Sequence, residues 1–324
     1  MTQAIQADRV VLLGTGGTIA GRAEQATDNV GYVAGQVGVG ELVAAVPALG
    51  GLPLEVEQVA QVDSKDMGLL VWQLLARRIQ AHLDRREVSA VIVTHGTDTI
   101  EETAFLMQEL LRPAKPVVFT CAMRPSTALL PDGPQNLSDA VAVARHGGVG
   151  GVVVVCAGQV HSARDVTKVH TYRLDAFDSG DAGPLASVEE GQVRMFRSCL
   201  GPQGEPTPLN NAALKRFLTS SQLPRVELVT SHADADGHLV RGLLALSSAS
   251  PLRGIVVAGT GNGTVHHALT AALHEAEARG IRVRLTSRCA HGRVVPHPGL
   301  PFEDAGGLSP AKARLALALE LLAD

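Results

Sequence analysis

The chain has 324 residues, of which 45% are hydrophobic and 3% aromatic, and it carries a formal net charge of −4. This length accommodates one large or two ordinary domains around a substantial core. The acidic balance argues against a nucleic-acid-binding protein, which would need a basic face. No apolar run in the sequence is long enough to span a membrane, and residues 1–8 lack the features of a secretory signal. We therefore expect a cytoplasmic protein with neither a membrane nor a nucleic-acid partner.

Apolar runs alternate with helical patterns along most of the chain, beginning with the strand-like run 9–13. Repeated βα units of this kind predict parallel sheets covered by helices. The further expected strands are Leu54–Val62, Ala90–Thr94, Val117–Cys121, Val152–Cys156, Val226–Thr230, Gly254–Ala258 and Arg282–Leu285. The expected helices are Met67–Asp84, Glu101–Leu111, Asn136–Arg145, Leu239–Ser247, Val265–Ala278 and Ser309–Leu322.

A stretch rich in proline and glycine, 201–208, separates two series of these elements and is typical of an interdomain linker. We therefore predict an α/β fold with a larger N-terminal catalytic domain (1–200), a linker (201–222) and a smaller C-terminal α/β domain (223–324). The N-terminal domain is expected to contain a parallel-rich sheet flanked by helices.

The first polar motif, Thr15-Gly16-Gly17-Thr18, directly follows the strand-like run 9–13 and is too polar and glycine-rich to predict a helix. The carboxyl ends of strands are where α/β proteins bind ligands, and glycines let backbone amides approach an oxyanion. A threonine here is a candidate nucleophile. The alternative of a dinucleotide-binding turn fits poorly, because a G-x-G-x-x-G/A motif read from Gly14 meets Ile19 at its sixth position.

Residues 21–40 contain five glycines, little apolar content and one aromatic residue, Tyr32. A long segment without periodicity that follows a candidate nucleophile is typical of a mobile lid. A surface Ω-loop with a packed tyrosine is the alternative interpretation. The sequence does not distinguish between the two.

A second polar motif, Thr94-His95-Gly96-Thr97-Asp98-Thr99, follows the predicted strand 90–94. Thr99 with Glu102 three residues later matches a capping box, which predicts the start of a helix. This pattern leaves Thr97 and Asp98 unexplained at a strand end, where a functional role and a structural one are equally compatible with their position.

A third candidate is Lys168, in the segment Arg164-Asp165-Val166-Thr167-Lys168. Only five of the 28 basic residues are lysines, so the choice of lysine at this position favours a chemical reason. A desolvated lysine can lose its proton and act as a base, whereas arginine cannot. An ordinary surface lysine in a loop is the alternative.

Together these motifs resemble those of the bacterial-type L-asparaginase/glutaminase family of threonine amidohydrolases. The resemblance extends over nearly the whole chain and implies the two-domain α/β fold predicted above. The matching segments are Thr15–Ala20, Val37–Val39, Ser64–Met67, Thr94–Thr99, Glu101–Thr103, Ala122–Ser126, Asp132–Pro134, Arg164–Lys168 and Gly261–Gly263.

The resemblance implies hydrolysis of L-asparagine to L-aspartate and ammonia through an acyl-enzyme ester, with L-glutamine as a slower substrate. It implies that Thr18 is the nucleophile and Tyr32 the lid tyrosine that helps to activate it. Thr97, Asp98 and Lys168 match the second triad of the family, in which the lysine serves as a proton relay.

The resemblance also implies the groups that bind substrate. Ser64 would contact the α-carboxylate and Asp98 the α-ammonium group, while backbone amides near Gly17 and Thr97 would stabilise the oxyanion. Lys65 stands where many relatives have glutamine, so its ammonium either turns away from the substrate ammonium, for example toward the carboxylate, or the substrate lies differently. These are expectations from the family pattern.

Asn262 resembles the residue that relatives contribute across a subunit interface, although a turn asparagine is equally compatible with its position. The family pattern therefore implies a homodimer or homotetramer with active sites at subunit interfaces. A glutamate that relatives often supply from the C-terminal domain has no clear counterpart in Cys289–Pro301, which leaves glutaminase activity open.

We predict no metal ion and no organic cofactor, because the histidines and four scattered cysteines form no pattern of four ligands. The scattered cysteines also predict free thiols. Three other functions remain as alternatives: an amidotransferase subunit of the same fold, a non-catalytic amino-acid sensor and, more distantly, a nucleotide-binding oxidoreductase. A sensor would need Ser64 and Asp98 but neither Thr18 nor Lys168.

Overall fold

The computed structural model describes residues 8–199, 208–246 and 250–324. The chain divides between residues 207 and 208 into two compact units. Within the described ranges, no helix combines the length and the apolar character needed to cross a membrane. All four cysteines lie in these ranges and are free thiols, as the sequence predicted.

The larger unit is built around a mixed eight-stranded sheet. Its strands are β1 Arg9–Gly16, β2 Leu54–Val62, β3 Val88–Thr94, β4 Val117–Thr120, β5 Val152–Cys156, β6 Gln159–Ser162, β9 Ala186–Glu189 and β10 Gln192–Met195, with a separate hairpin formed by β7 Thr167–Lys168 and β8 Phe177–Asp178. The strand order in the sheet is β10-β9-β6-β5-β4-β3-β1-β2. Its helices are α1 Val39–Ala44, α2 Leu69–Leu83, α3 Ile100–Leu111 and α4 Gly133–Ala144. Single 3₁₀ turns occupy Thr18–Ala20, Pro47–Leu49, Ser64–Asp66 and Gly180–Ala182.

Strands β1 to β5 are parallel to one another, as the alternation of apolar runs and helices predicted. Successive residues of a strand point to opposite faces of the sheet, and both faces are covered. On one face, strand residues such as Leu12, Ile92 and Val155 pack with α1 and α4 in a single apolar core. Helices α2 and α3 pack on each other and on strands β2, β3 and β5.

The sheet continues beyond β5 in a way that the sequence did not predict. β6, β9 and β10 add an antiparallel edge. The reversal from β5 to β6 occurs at Ala157 and Gly158, which both have positive φ (49° and 74°) and so form a tight hairpin turn. These strands have four residues each, and strands this short give a weak periodic signal.

The smaller unit is a four-stranded parallel sheet with helices around it. Its elements are α5 Pro208–Thr219, β11 Arg225–Thr230, α6 His238–Ala245, β12 Leu252–Gly259, α7 His267–Glu277, β13 Arg282–Ser287, β14 Glu303–Asp304 and α8 Pro310–Ala323. The strand order is β11-β12-β13-β14. Helix α5 occupies part of the predicted linker 201–222, because its sequence after Pro208 has neither proline nor glycine. Residues 201–207 lie outside the described residues.

Candidate active site

Two polar loops meet at the carboxyl ends of neighbouring strands. β1 and β3 are paired so that Gly14 lies opposite Thr94, and the chain continues from each into a threonine-containing motif. The hydroxyl of Thr15 donates to the carbonyl of Thr94 at 2.8 Å. Gly17 has φ +81°, and a Cβ at this position would collide with the backbone of Gly96. The first two motifs therefore pack backbone against backbone and form one surface.

Thr18 lies on this surface in a single 3₁₀ turn, Thr18–Ala20, where the sequence predicted no helix. Its side chain is 5% exposed, and its Oγ1 lies 2.5 Å from the hydroxyl oxygen of Tyr32. The segment that carries Tyr32 is closed by paired backbone hydrogen bonds between Arg22 and Val33, and the tyrosine ring packs on Gly21. In this conformation Tyr32 covers Thr18.

The electrostatic surroundings of Tyr32 link the two motifs. Burial raises the pKa of the Tyr32 hydroxyl; its hydrogen bond with Thr18 lowers it, and the charges of Asp63 and Asp98 raise it further. The charge of Lys65 acts in the opposite direction. Asp98 and Lys65 are thus close enough to Tyr32 to influence its titration. Because the pKa is raised, the hydroxyl keeps its proton at neutral pH.

Lys168 connects Thr97 and Asp98, which lie 71 and 70 residues earlier in the sequence. Its Nζ donates to Oγ1 of Thr97 at 2.9 Å and to Oδ1 of Asp98 at 2.7 Å. The lysine side chain is 18% exposed, whereas that of Asp98 is 56% exposed. The Asp98 carboxylate is therefore bound to the lysine through Oδ1, while more than half of the side chain is accessible to solvent or to a ligand. The structure brings these three predicted residues together.

Ser64 lies directly beneath Asp98. Its buried Oγ accepts a hydrogen bond from the backbone N–H of Asp98 at 3.2 Å, and its carbonyl accepts from the hydroxyl of Thr99 at 2.7 Å. The Ser64 hydroxyl can therefore still donate its own proton. Helix α3 begins directly after Thr99, as the capping-box pattern predicted, but the Thr99 side chain makes no cap bond. Its hydroxyl donates to the carbonyl of Ser64 instead.

Lys65 is exposed, and its Nζ donates to Asp63 at 2.9 Å and to Asp66 at 2.8 Å. These two hydrogen bonds raise the pKa of the ammonium group above its usual range. The Lys65 ammonium is thus held by two carboxylates of its own segment, and its position relative to a bound substrate stays a prediction.

Gly17 does not offer the amide that the family pattern suggested. Its N–H donates to the carbonyl of Val62 at 3.0 Å, because the chain turns sharply beside β2, so this group is already engaged. By contrast, within the described part of the chain the backbone N–H groups of Thr18 and Thr97 have no acceptor. An oxyanion site on this surface would use these two amides.

Asn262 lies in the smaller unit, in the loop after β12. Its side-chain amide forms two hydrogen bonds with the backbone of Val295: Oδ1 accepts from the N–H at 2.7 Å, and Nδ2 donates to the carbonyl at 3.3 Å. These bonds fix the asparagine against a second loop of the same unit. Its predicted role toward a neighbouring subunit stays a prediction.

Sequence reasoning gave no role to three groups beside these residues. Glu101 accepts a hydrogen bond from the backbone N–H of Lys168 at 2.9 Å. His95 is fully buried, and its Nδ1 bonds to the carbonyl of Gly96 at 2.8 Å; burial lowers its pKa to about 4. Thr127 bonds to the backbone of Ala23 at the base of the lid segment. The contacts of Glu101 and Thr127 join residues far apart in the sequence, so no local pattern predicts them. His95 bonds to its own neighbour, and its place inside the second polar motif was the signal that could have indicated it.

The described residues contain no cluster of three or more His, Cys, Asp or Glu side chains that could hold a metal ion. The groups gathered at the site are the hydroxyls of Thr18, Tyr32 and Thr97, the Asp98 carboxylate and the Lys168 ammonium. Such groups can bind an amino acid by its two charged ends and transfer protons near a bound amide.

The fold and the site first define the class: a two-unit α/β protein with polar groups gathered at the carboxyl ends of the parallel strands β1 and β3. Comparison with known proteins then defines the family. Residues 9–200 match the family model "Asparaginase, N-terminal", and residues 225–323 match "Glutaminase/Asparaginase C-terminal domain". The chain therefore belongs to the bacterial-type L-asparaginase family, as the sequence motifs predicted.

Individual relatives agree over nearly the full length. The chain is 36% identical to L-asparaginase 2 of Escherichia coli K12, covering 98% of this chain and 90% of that protein. It is 34% identical to a glutaminase-asparaginase of Pseudomonas fluorescens biotype A, covering 94% and 84% of the two chains. The crystal structure of a probable cytoplasmic L-asparaginase from Campylobacter jejuni superimposes with a TM-score of 0.87 at 35% identity, covering 98% and 96%.

Proposed function

We propose that this chain hydrolyses L-asparagine to L-aspartate and ammonia with Thr18 as the nucleophile, and that it acts more slowly on L-glutamine. The observation that carries the proposal is the 2.5 Å contact between Thr18 Oγ1 and the Tyr32 hydroxyl, next to the network of Lys168 with Thr97 and Asp98. The names of the relatives support the substrate class, since they include both L-asparaginases and a glutaminase-asparaginase.

In the proposed reaction, Asp98 binds the substrate α-ammonium group and Ser64 the α-carboxylate. Thr18 Oγ forms a bond to the side-chain carbonyl carbon, and its proton passes by way of Tyr32 to the amide nitrogen. The carbon–nitrogen bond then breaks, which releases ammonia and leaves an aspartyl ester on Thr18. Water completes the cycle: its hydroxide part bonds to the acyl carbon, and its remaining proton returns to the Thr18 oxygen.

In the proposal, Lys168 supports these proton transfers. Its Nζ donates to both Thr97 and Asp98, so it orients the Thr97 hydroxyl toward the site and holds the carboxylate that receives the substrate ammonium. The backbone amides of Thr18 and Thr97 would stabilise the oxyanion, a contribution of about 3 kcal/mol when one such donor is removed. A protein that only binds an amino acid needs neither a nucleophile such as Thr18 nor a proton-transfer group such as Lys168, which argues against the sensor alternative.

The quaternary structure and location belong to the same proposal. We expect a homodimer or homotetramer in which Asn262 approaches the site of a second copy of the chain. The division into domains 1–200 and 223–324 and the cytoplasmic location likewise stay predictions. The oligomeric state is measured by light scattering of the purified protein, where a monomer would contradict the role of Asn262.

The decisive experiment measures ammonia release from L-asparagine, L-glutamine and D-asparagine. It compares the wild type with Thr18→Ala, Thr97→Ala and the control Thr219→Ala, which removes the same atoms from an exposed position of α5. We expect Thr18→Ala to lose activity by at least about 10³-fold while the control keeps it. Full activity of Thr18→Ala would contradict the assignment of Thr18 as the nucleophile. A wild-type protein that cleaves none of the amides would favour the alternative of a non-catalytic amino-acid sensor. Acid-quenched samples are expected to carry an aspartyl ester on the peptide that contains Thr18.

A further inference from the structure

We infer that Glu101 is a positioning residue that acts on the reaction through Lys168. The inference rests on the proposed function, in which Lys168 supports proton transfer. Glu101 lies 67 residues before Lys168, and its Oε2 accepts a hydrogen bond from the Lys168 backbone N–H at 2.9 Å. The same lysine places its Nζ on Thr97 and Asp98. The Glu101 carboxylate thus holds the backbone of Lys168, whose side chain contacts Thr97 and Asp98.

The backbone N–H of Lys168 needs this acceptor because of its place in the β7–β8 hairpin. Lys168 lies opposite Phe177, and the next pair is joined by a hydrogen bond from the N–H of Val169 to the carbonyl of Ala176 at 2.8 Å. In an antiparallel ladder, hydrogen-bonded and non-hydrogen-bonded pairs alternate. The N–H of Lys168 therefore points away from the hairpin, and the Glu101 carboxylate is its partner.

Glu101 is suited to this task because it belongs to the first turn of α3, which begins directly after Thr97 and Asp98. The bond ties the lysine-bearing hairpin to the same loop-helix junction that carries the two acceptors of Nζ. A hydrogen bond to an ionised carboxylate is shorter and stronger than one between neutral groups. This single hydrogen bond therefore helps to fix the position of Lys168 relative to Thr97 and Asp98.

Loss of this bond would displace Lys168 without unfolding the hairpin, which also has apolar anchors. Val166 and Ala176 are completely buried, and Phe177 is largely buried. A misplacement of about 1 Å at a catalytic group can cost about 10²-fold in rate. We therefore expect Glu101 to affect turnover far more than substrate affinity.

The test compares Glu101→Leu and Glu101→Ser, which remove or shorten the acceptor, with Glu101→Gln, which keeps an acceptor oxygen in the same place. The control is Glu109→Leu on the same helix, a partly exposed residue paired with Arg112 at 3.5 Å. We expect kcat for L-asparagine to fall by about 10- to 100-fold in the first two variants with KM within about threefold. Glu101→Gln is expected to recover most of kcat, and thermal melting identifies any variant that fails to fold.

A double-mutant cycle with Lys168→Met separates this inference from the proposed function. If Glu101 acts through Lys168, then Glu101→Leu causes no further loss in the Lys168→Met background. A full additional loss there, normal kcat in folded Glu101→Ser, or a Glu101→Gln variant as slow as Glu101→Leu would overturn the inference. Normal activity of Lys168→Met would instead refute the proposed role of the lysine, which is a different result.

Discussion

At the scale of single residues, the hydroxyl of Tyr32 is the group whose removal is most informative. It contacts Thr18 Oγ1 at 2.5 Å, and its raised pKa keeps it protonated at neutral pH. Tyr32→Phe removes only this oxygen. We expect kcat for L-asparagine to fall by about 10² to 10³, the range for loss of a proton-transfer group, with KM within about threefold.

The chain provides a matched control, because its only other tyrosine, Tyr172, is 55% exposed. Tyr172→Phe removes the same oxygen and is expected to leave steady-state kinetics unchanged. If Tyr32→Phe retained the wild-type kcat, the lid tyrosine would serve only to cover the site.

Lys65 gives a second prediction at this scale. Its charge is exposed and compensated by Asp63 and Asp66, and such surface pairs contribute little energy. We expect Lys65→Gln to lower KM for L-asparagine by at most about threefold, since one cation near the substrate ammonium is removed, with kcat unchanged. Lys215→Gln, an exposed change of the same kind, serves as the control. A tenfold rise in KM would mean that Lys65 binds the substrate carboxylate.

At the scale of elements, the lid segment that carries Tyr32 is fastened to residues 126–129. Ser126 bonds through its N–H and its hydroxyl to the carbonyl of Gly21, at 3.0 and 2.7 Å. Thr127 Oγ1 accepts from the N–H of Ala23 at 2.9 Å, and the N–H of Leu129 donates to the carbonyl of Ala26 at 3.1 Å. The segment that carries Tyr32 is thus bonded to a second loop, and its role as a lid stays a prediction.

Thr127→Val keeps the shape of the side chain and removes its hydrogen bond to the lid. A net loss of about 1 kcal/mol would increase opening of the lid by about fivefold. We expect faster cleavage by trypsin after Arg22 and a several-fold lower kcat/KM, measured by limited proteolysis and steady-state kinetics. Thr219→Val on α5 is the control, and unchanged cleavage at Arg22 would show that the loop at 126–129 does not hold the lid.

The strands and helices differ in how far the sequence predicted them. Apolar periodicity predicted β1 to β5 and helices α2 to α4, because long buried elements impose a strong pattern. Helix α1, which has only six residues, was not predicted. The antiparallel strands β6, β9 and β10 have short sequences whose pairing depends on tertiary contacts. Glycine and threonine motifs indicated Thr18 and Thr97, but the bond of Glu101 to Lys168 spans 67 residues and no local pattern encodes it.

At the scale of the whole molecule, His95 predicts a pH dependence of stability. Burial lowers its pKa to about 4, compared with about 6.5 in an unfolded chain. Between these values the unfolded state binds more protons, so stability rises with pH across this window and is lost as pH falls through it. The difference amounts to about 3 kcal/mol when fully developed.

The measurement is denaturant unfolding between pH 4 and pH 7, followed by fluorescence of Trp72. This is the only tryptophan of the chain, and it is buried in the larger unit together with His95. His95→Gln is expected to flatten the slope of unfolding free energy against pH, whatever its effect at pH 7. His274→Gln, a change at an exposed histidine of α7, is the control. An equally steep slope in His95→Gln would assign the acid sensitivity to other groups.

The separation of the site residues along the chain bears on how activity returns after denaturation. Thr18 belongs to the first strand-loop unit, whereas Lys168 reaches Thr97 across 71 residues of intervening sequence. Contacts this distant form late, since long loops must close first. During refolding, we therefore expect ammonia release to recover later than the fluorescence of Trp72. The delay between the two signals would measure how slowly the Lys168–Thr97 contact forms.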